Sequence, residues 1–359
     1  MENKQGKWYT DLEEYIRQGE PDKAERSNAW KTAIGLQDVD GLKTSEYLLE
    51  TAREHIEGHI DIHDAQKRIQ SYYEERADRS AIENGTKEAD IVSSRITALL
   101  SEKAFRFSPA EWIAIHRELF TGVFDHAGEI RTYNISKKEW VLNGESVDYT
   151  PWYSIRDTMD YDFNAEKEFS YRSLSLPEVV KHISKFTSGI WQIHPFSEGN
   201  TRSTAVFIIK YLKSFGFTIT NDGFAENSWY FRNALVRANY KNYAKGIEED
   251  TRFLELFFEN VLMGRNNELK NRNLHVDYED KAQSASFSAV KCQSGTLKET
   301  ALLKLIADQP SITQKKLSEL TGFSERTVKR MTVELQKKNY LVRVGGKRSG
   351  VWKVMIPLE

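Results

Sequence analysis

Two apolar helical periods meet end to end between residues 177 and 215, and the junction between them reads His194-Pro195-Phe196-Ser197-Glu198-Gly199-Asn200-Thr201-Arg202. After Pro177, residues Val180, Ile183, Phe186, Thr187, Ile190 and Ile193 fall on one face, which predicts an amphipathic helix that ends just before His194. A second apolar helix is expected from Thr201 to Phe215, stopped by Gly216. Whatever the chain folds into must bury both helices and carry a polar, charged corner between them.

The rest of the amino-terminal two thirds repeats the helical texture. Ser45 opens a run with Tyr47, Leu48, Ala52 and Ile56 on one stripe, Gly58 breaks it, and residues 62 to 73 start it again. Helices are also expected over 90–100, from Ser108-Pro109 through Phe120, over 227–243 and over 253–262. The texture changes from Ile130 to Tyr149, where Val141-Leu142 and Val147 flank Asn143-Gly144-Glu145 and predict a short hairpin. Residues 264–295 lack a sustained apolar period and read as a linker. The fold class is therefore mostly α, divided into a helical region over 1–100, a core over 101–263, the linker, and a small carboxyl-terminal domain over 296–359.

Charge marks the last boundary. The chain of 359 residues carries 51 basic and 53 acidic groups, a net −2. Residues 296–359 hold 13 of the basic and 6 of the acidic ones, or +7, leaving 38 against 47, or −9, in the remainder. The last segment gives two helical runs, a Thr321-Gly322-Phe323 turn and a hairpin around Gly345-Gly346, the layout of a winged helix-turn-helix. Its second helix would present Arg326, Lys329 and Arg330 and its wing Lys347 and Arg348, a set suited to DNA phosphates or, equally, a docking or dimerising module.

Several classes are disfavoured. The polar amino terminus and the lack of a long apolar run argue against a signal peptide or a bilayer span, so a cytoplasmic protein without a membrane partner is expected. Cys292 is the single cysteine, which rules out an internal disulfide and any multi-cysteine zinc site. His55, His59 and His63 recur every four residues, but Gly58 interrupts their helix and no carboxylates complete a metal site.

The junction suits phosphate chemistry. A helix amino terminus offers unpaired N–H groups and partial positive charge, Gly199 lets the backbone approach an anion, and Arg202 can fork onto phosphate oxygens. Glu198 could give magnesium one carboxylate, which leaves His194 free to take a proton from an attacking hydroxyl. Singly, each residue also fits a cap, a local ion pair or a turn.

Together, His194, Phe196, Glu198, Gly199, Asn200 and Arg202 resemble, in register, the motif His-x-Phe-x-Asp/Glu-Gly-Asn-Gly-Arg-x-x-Arg of the Fic family. The likeness spans roughly residues 30 to 262 and includes the segment Gly122 to Arg131, similar to the lead into that family's hairpin flap. Thr201 replaces the third glycine, and Ala205 stands where the second arginine would hold a terminal phosphate. The resemblance implies a Fic helical core that transfers AMP from Mg-ATP to Ser, Thr or Tyr hydroxyls of target proteins, itself included. It makes His194 the base, Glu198 the Mg2+ ligand, Gly199, Asn200, Thr201 and Arg202 the nucleotide cradle, and Lys138, Glu139, Trp140, Val141 and Leu142 the flap that clamps the target. Tyr230, Phe231 and Asn239 are candidates for the adenine pocket or for core. The segment 79–85 resembles the family's inhibitory helix, with Glu83 and Asn84 matching and Arg79 in the usual Ser/Thr position. The resemblance also admits a homodimer. Two alternatives stay open: a DNA-binding regulator with a nucleotide-sensing or degenerate core, and transfer of another phosphate-linked group such as UMP or phosphocholine.

Overall fold

The computed structural model describes residues 21–75, 81–217 and 222–278, together with 302–303, 305–307, 309–310, 312–321, 325–337, 340–344 and 351–355; for 81–84, 222, 319–321, 325–327, 334 and 344 it describes the backbone alone. The chain divides into two compact units, 1–278 and 279–359.

The first unit is helical. Its elements are α1 (Pro21–Gly35), α2 (Glu46–Glu57), α3 (Ile62–Glu74), α4 (Ala81–Ser101), α5 (Pro109–Phe120), α6 (Ile155–Glu168), α7 (Leu176–Ile193), α8 (Asn200–Ser214), α9 (Asp222–Glu226), α10 (Ser228–Ala238) and α11 (Arg252–Met263), with short 3-10 turns at Leu36–Asp40, Trp140–Leu142 and Asn271–Leu274 among others. Capping chemistry sets the starts. Ser45 accepts from Leu48 N, Asp61 from Asp64 N and Ser108 from Glu111 N, and Ser175 with Glu178 closes a capping box ahead of α7. Gly58 ends α2 at φ 83°, as its place in the sequence suggests.

Helix α8 is the axis of this unit. Every residue from Asn200 to Leu212 is buried, so α8 is covered on all sides, by α5, α7 and α4 among others. Beside it α7 buries Ile183, Ile190, Trp191 and Ile193, each worth roughly 1.5–3 kcal/mol against exposure. The apolar stripe seen in the sequence thus faces the core, and the polar junction lies at the corner where the two central helices meet.

Two sequence expectations change, and one helix lies where the sequence announced none. The hairpin around Asn143-Gly144 has the turn but no ladder: Asn143 and Gly144 take φ 57° and 83°, while Trp140–Leu142 coils into a 3-10 turn that buries Val141 and Leu142 side by side. Alternation requires neighbours to point oppositely; here both apolar side chains go inward. Part of the expected linker is packed, since Leu274 is fully buried and Val276 N donates to Val141 O at 2.9 Å. Helix α6 goes unread in the sequence because its polar residues outnumber its apolar anchors, Ile155, Met159 and Phe163.

The second unit contains α12 (Gln314–Thr321), α13 (Glu325–Lys337) and an antiparallel pair, β1 (Leu341–Val344) with β2 (Val351–Val354), registered Leu341 to Val354. Leu302, Leu303, Ile306, Leu317, Val328, Leu335, Leu341 and Trp352 form its own small core. Among the described residues this is the only sheet, so the fold is mostly α-helical with one two-stranded sheet near the carboxyl terminus. No helix among them is long and apolar enough to cross a membrane.

Candidate functional site at the His194 corner

His194 ends α7 in the left-handed region, φ 49° and ψ 57°, and this turn throws the chain across to α8. The imidazole is buried. Its Nδ1 lies 3.2 Å from Trp191 O, and since a carbonyl only accepts, Nδ1 carries the proton and Nε2 the lone pair. Among the described residues Nε2 has no hydrogen-bond partner. Burial holds the ring neutral, well below the ordinary histidine range; Lys137, Arg131 and Arg232 depress it further while the Trp191 carbonyl opposes them.

Arg131 builds the corner. Its guanidinium, 3% exposed, donates to His194 O (2.8 Å), Tyr133 O (2.6 Å), Thr150 O (2.5 Å) and Ile193 O (3.3 Å), and its own N–H bonds Pro195 O at 2.9 Å. One planar fork thus collects carbonyls that the positive-φ turn would otherwise leave orphaned. His116 does the same for the next turn. Gly128 N donates to its Nδ1 (2.9 Å), so Nε2–H must donate to Glu198 O (2.9 Å), and the ring stacks on Phe196 at 3.7 Å. Burial pushes His116 down to about 4, with the Glu198 bond opposing. The sequence contains both residues, but neither their spacing nor their surroundings there gives them a role.

The four cradle residues and Glu198 come together, yet the cradle is spent differently from expectation. Asn200 closes the loop on itself, accepting from Phe196 N (2.9 Å) and donating to Phe196 O (2.7 Å). Thr201 accepts from the indole N–H of Trp191 at 3.0 Å. Gly199 takes φ 73° against the Phe120 ring. Arg202 is 2% exposed and points inward: Nη2 bonds Glu88 (2.6 Å), Nη1 bonds Gln37 (3.1 Å), Nε lies 2.7 Å from Asp40 without good hydrogen-bond alignment, and the guanidinium sits 4.9 Å from the Phe120 ring centre. Two carboxylates therefore occupy the arginine that the sequence assigns to phosphate.

Glu198 is the exposed one, its carboxylate held among the described residues only by Lys137 Nζ at 2.9 Å, a half-exposed pair of small worth that a cation could replace. Ser203 N donates to Gly199 O, the first bond of α8, which leaves the N–H groups of Asn200, Thr201 and Arg202 ahead of the helical ladder. An exposed carboxylate beside a helix amino terminus fits a magnesium-bound phosphate once Lys137 gives way; the caged arginine fits it only after Asp40 and Glu88 let go.

The outlying candidates separate. Tyr230 and Phe231 are core: Phe231 packs on Phe224 and Phe257, and the Tyr230 hydroxyl bonds Phe253 O at 3.3 Å. Asn239 spends its amide on Ser188 O and Leu235 O and lines a cavity of about 720 Å³ with Asp162, Lys181 and His182. Of the flap residues, Lys138 and Trp140 are exposed, whereas Glu139, Val141 and Leu142 are buried and cannot offer an edge to a target. Glu139 is paired with Arg232. The side chains of Glu83 and Asn84, and those of Arg326, Lys347 and Arg348, lie outside the described residues; Lys329 and Arg330 are exposed on α13. Among the described residues no group of three metal-ligating side chains occurs; His55 instead accepts from Trp30 Nε1 at 2.9 Å.

No curated protein matches the chain. Among solved structures it is similar to a Fic family protein from Desulfovibrio desulfuricans G20, at 13% identity and a TM-score of 0.44, over 97% of this chain and 95% of that one. Residues 106–212, which contain α5, His116, Arg131, the 133–150 segment, α7, the His194 corner and most of α8, match the model of the Fic/DOC family.

Proposed function

We propose that the chain transfers AMP from ATP to a protein hydroxyl, with His194 as the base. The observation that carries this reading is the imidazole: Nδ1–H is fixed on Trp191 O, Nε2 is free, and burial keeps the ring neutral. A family match implies transfer of a nucleotidyl or other phosphate-linked group, and a neutral, oriented imidazole is what activation of a hydroxyl requires. In the step, the hydroxyl oxygen bonds to the α-phosphorus, its proton passes to Nε2, and the bond to the departing pyrophosphate breaks.

Glu198 would hold magnesium, which when bound neutralises phosphate charge. The N–H groups at the start of α8 receive the anion, and Gly199, whose missing side chain leaves room for the Phe120 ring, makes the turn that presents them. Arg202 joins them once it exchanges Asp40 and Glu88 for phosphate oxygens. On this reading the described conformation is a restrained one, in keeping with a brake in which Glu83 also takes part. The exposed Trp140 and Lys138 beside the corner remain the flap groups a target chain could meet.

ATP labelled at the α-phosphate or at the γ-phosphate decides the reaction. Label retained on protein from the α position only, and lost in His194→Ala, is the expected result; retention from the γ position would make the chain a phosphoryl transferase. UTP and CDP-choline in the same assay test the other donors.

A second reading, a DNA-binding regulator, is supported by the +7 segment and by exposed Lys329 and Arg330. Binding of a duplex by the full chain that weakens steeply with salt, and less so in Lys329→Ala, would favour it.

A further inference from the structure

His194 is gripped by groups that the proton transfer itself does not use. One hydrogen bond, from Nδ1 to Trp191 O, pins an edge of the imidazole but leaves its plane free to tilt. The plane is set by two rings: Trp191 stands edge-on at 5.1 Å and 90°, and Tyr149 lies against the imidazole with centroids 4.2 Å apart at 38°.

Tyr149 is itself held at both ends. Its backbone neighbours are tied to the end of α7, Thr150 N donating to Gln192 O (3.3 Å) and Gln192 Nε2 to Asp148 O (3.0 Å). Its hydroxyl reaches Glu139 Oε1 at 3.4 Å. That carboxylate is 1% exposed, a costly position for a lone charge, and it is satisfied by a two-pronged pair with Arg232, Nη1 to Oε2 at 2.7 Å and Nη2 to Oε1 at 3.1 Å. Arg232 in turn rests on the Trp229 ring at 5.3 Å. A continuous line of contacts therefore runs from α10 through the 139–149 segment to the face of the imidazole.

We propose that Tyr149, backed by the Glu139–Arg232 pair, is a positioning device that fixes the plane of the His194 imidazole for proton abstraction. This rests on the reading of His194 as base. None of the three residues touches the reacting atoms. Their effect is on the direction of the Nε2 lone pair, and misplacement of a base by about 1 Å costs on the order of 100-fold in rate.

The test compares Tyr149→Leu, Tyr149→Phe and Arg232→Lys with Tyr171→Phe, which loses a half-buried hydroxyl bond to Glu166 remote from the corner. Two readouts are needed: transfer kinetics with Mg-ATP, and the imidazole 15N–1H correlations of His194. Tyr149→Leu is expected to lower kcat about 100-fold with KM for ATP within about twofold, Tyr149→Phe about 3- to 10-fold, and Arg232→Lys between them. Each should move the His194 resonances, whereas Tyr171→Phe should leave both kcat and those resonances alone at a similar loss of Tm. A Tyr149→Leu protein whose kcat falls no further than that of Tyr171→Phe, or whose change lies wholly in KM, would overturn the proposal. If the wild type transfers nothing, the function reading fails and the resonances alone decide the positioning: unmoved in Tyr149→Leu, they refute it.

Discussion

Gly199→Ala isolates the tightest point of the corner. A Cβ there would sit 2.4 Å from Cε2, 2.5 Å from Cζ and 3.2 Å from Cδ2 of Phe120, and the residue holds φ +73°. Two separable penalties follow. Left-handed backbone costs a side-chain-bearing residue about 1–2 kcal/mol, and overpacking against a ring that cannot retreat costs about 1–3 kcal/mol. Phe120 has no room to yield: it is fully buried between His116 (4.7 Å), Phe124 (4.8 Å) and the Arg202 guanidinium (4.9 Å). The sum, about 2–5 kcal/mol, is a large share of the roughly 5–15 kcal/mol of a typical domain. Urea unfolding, followed by near-ultraviolet circular dichroism from the buried Trp112 and Trp191, would measure it. In a Phe120→Ala background the ring is gone, so the same substitution should cost only the backbone part, about 1–2 kcal/mol, leaving a coupling of about 1–3 kcal/mol. Equal costs in the two backgrounds would refute the clash, and a cost below about 1 kcal/mol in the wild type would refute the strained turn as well.

Arg131→Lys replaces a fork that reaches four carbonyls with a single ammonium; stability should fall by about 2–4 kcal/mol in the same urea assay and transfer by more than about tenfold, and a neutral result would mean the carbonyls find other donors. Glu88→Gln should lower Tm without nucleotide, because Arg202 loses one of its two carboxylates, yet tighten Mg-ATP binding by calorimetry; weaker binding would assign Arg202 to structure alone. Acid should destabilise the first unit. His55 and His116 are both held down to about 4, burial being the larger cause, so what each adds is fully present above pH 6.5 and is lost as pH falls toward 4, about 2 kcal/mol apiece by pH 5. Asp90, lifted to about 6 by burial against its Ser45 and Tyr73 donors, works the other way by about 1 kcal/mol, so a net fall of roughly 2–3 kcal/mol between pH 7 and pH 5 is expected. A urea midpoint that holds or rises over that range would contradict this.

The two central helices and the corner between them were legible because helical period and cap chemistry are local, and because His194 to Arg202 lie within one turn of chain. The fates of the side chains were not. Arg202 meets Gln37, Asp40 and Glu88, all more than 100 positions away, and only the packing of α1, the 3-10 turn and α4 against α8 brings them there. The 139–149 segment shows the converse limit. Asn143-Gly144 announced a turn correctly, but whether Val141 and Leu142 alternate or bury together depends on the pocket that receives them. Tyr230 and Phe231 went to the core for a similar reason, since an aromatic helix face looks the same whether it lines a nucleotide or another helix. Arg131 was in plain view without a role, because its partners are backbone carbonyls, which no side-chain pattern can announce.

The reading of His194 as the base for AMP transfer is tested most directly by the intact mass of the purified chain after incubation with Mg-ATP, for the wild type, Glu83→Gly and His194→Ala. Addition of one AMP in the first two, greater in Glu83→Gly and absent in His194→Ala, is the expected result. An adduct that persists in His194→Ala, or no adduct in any of the three while nucleotide still binds, would contradict it.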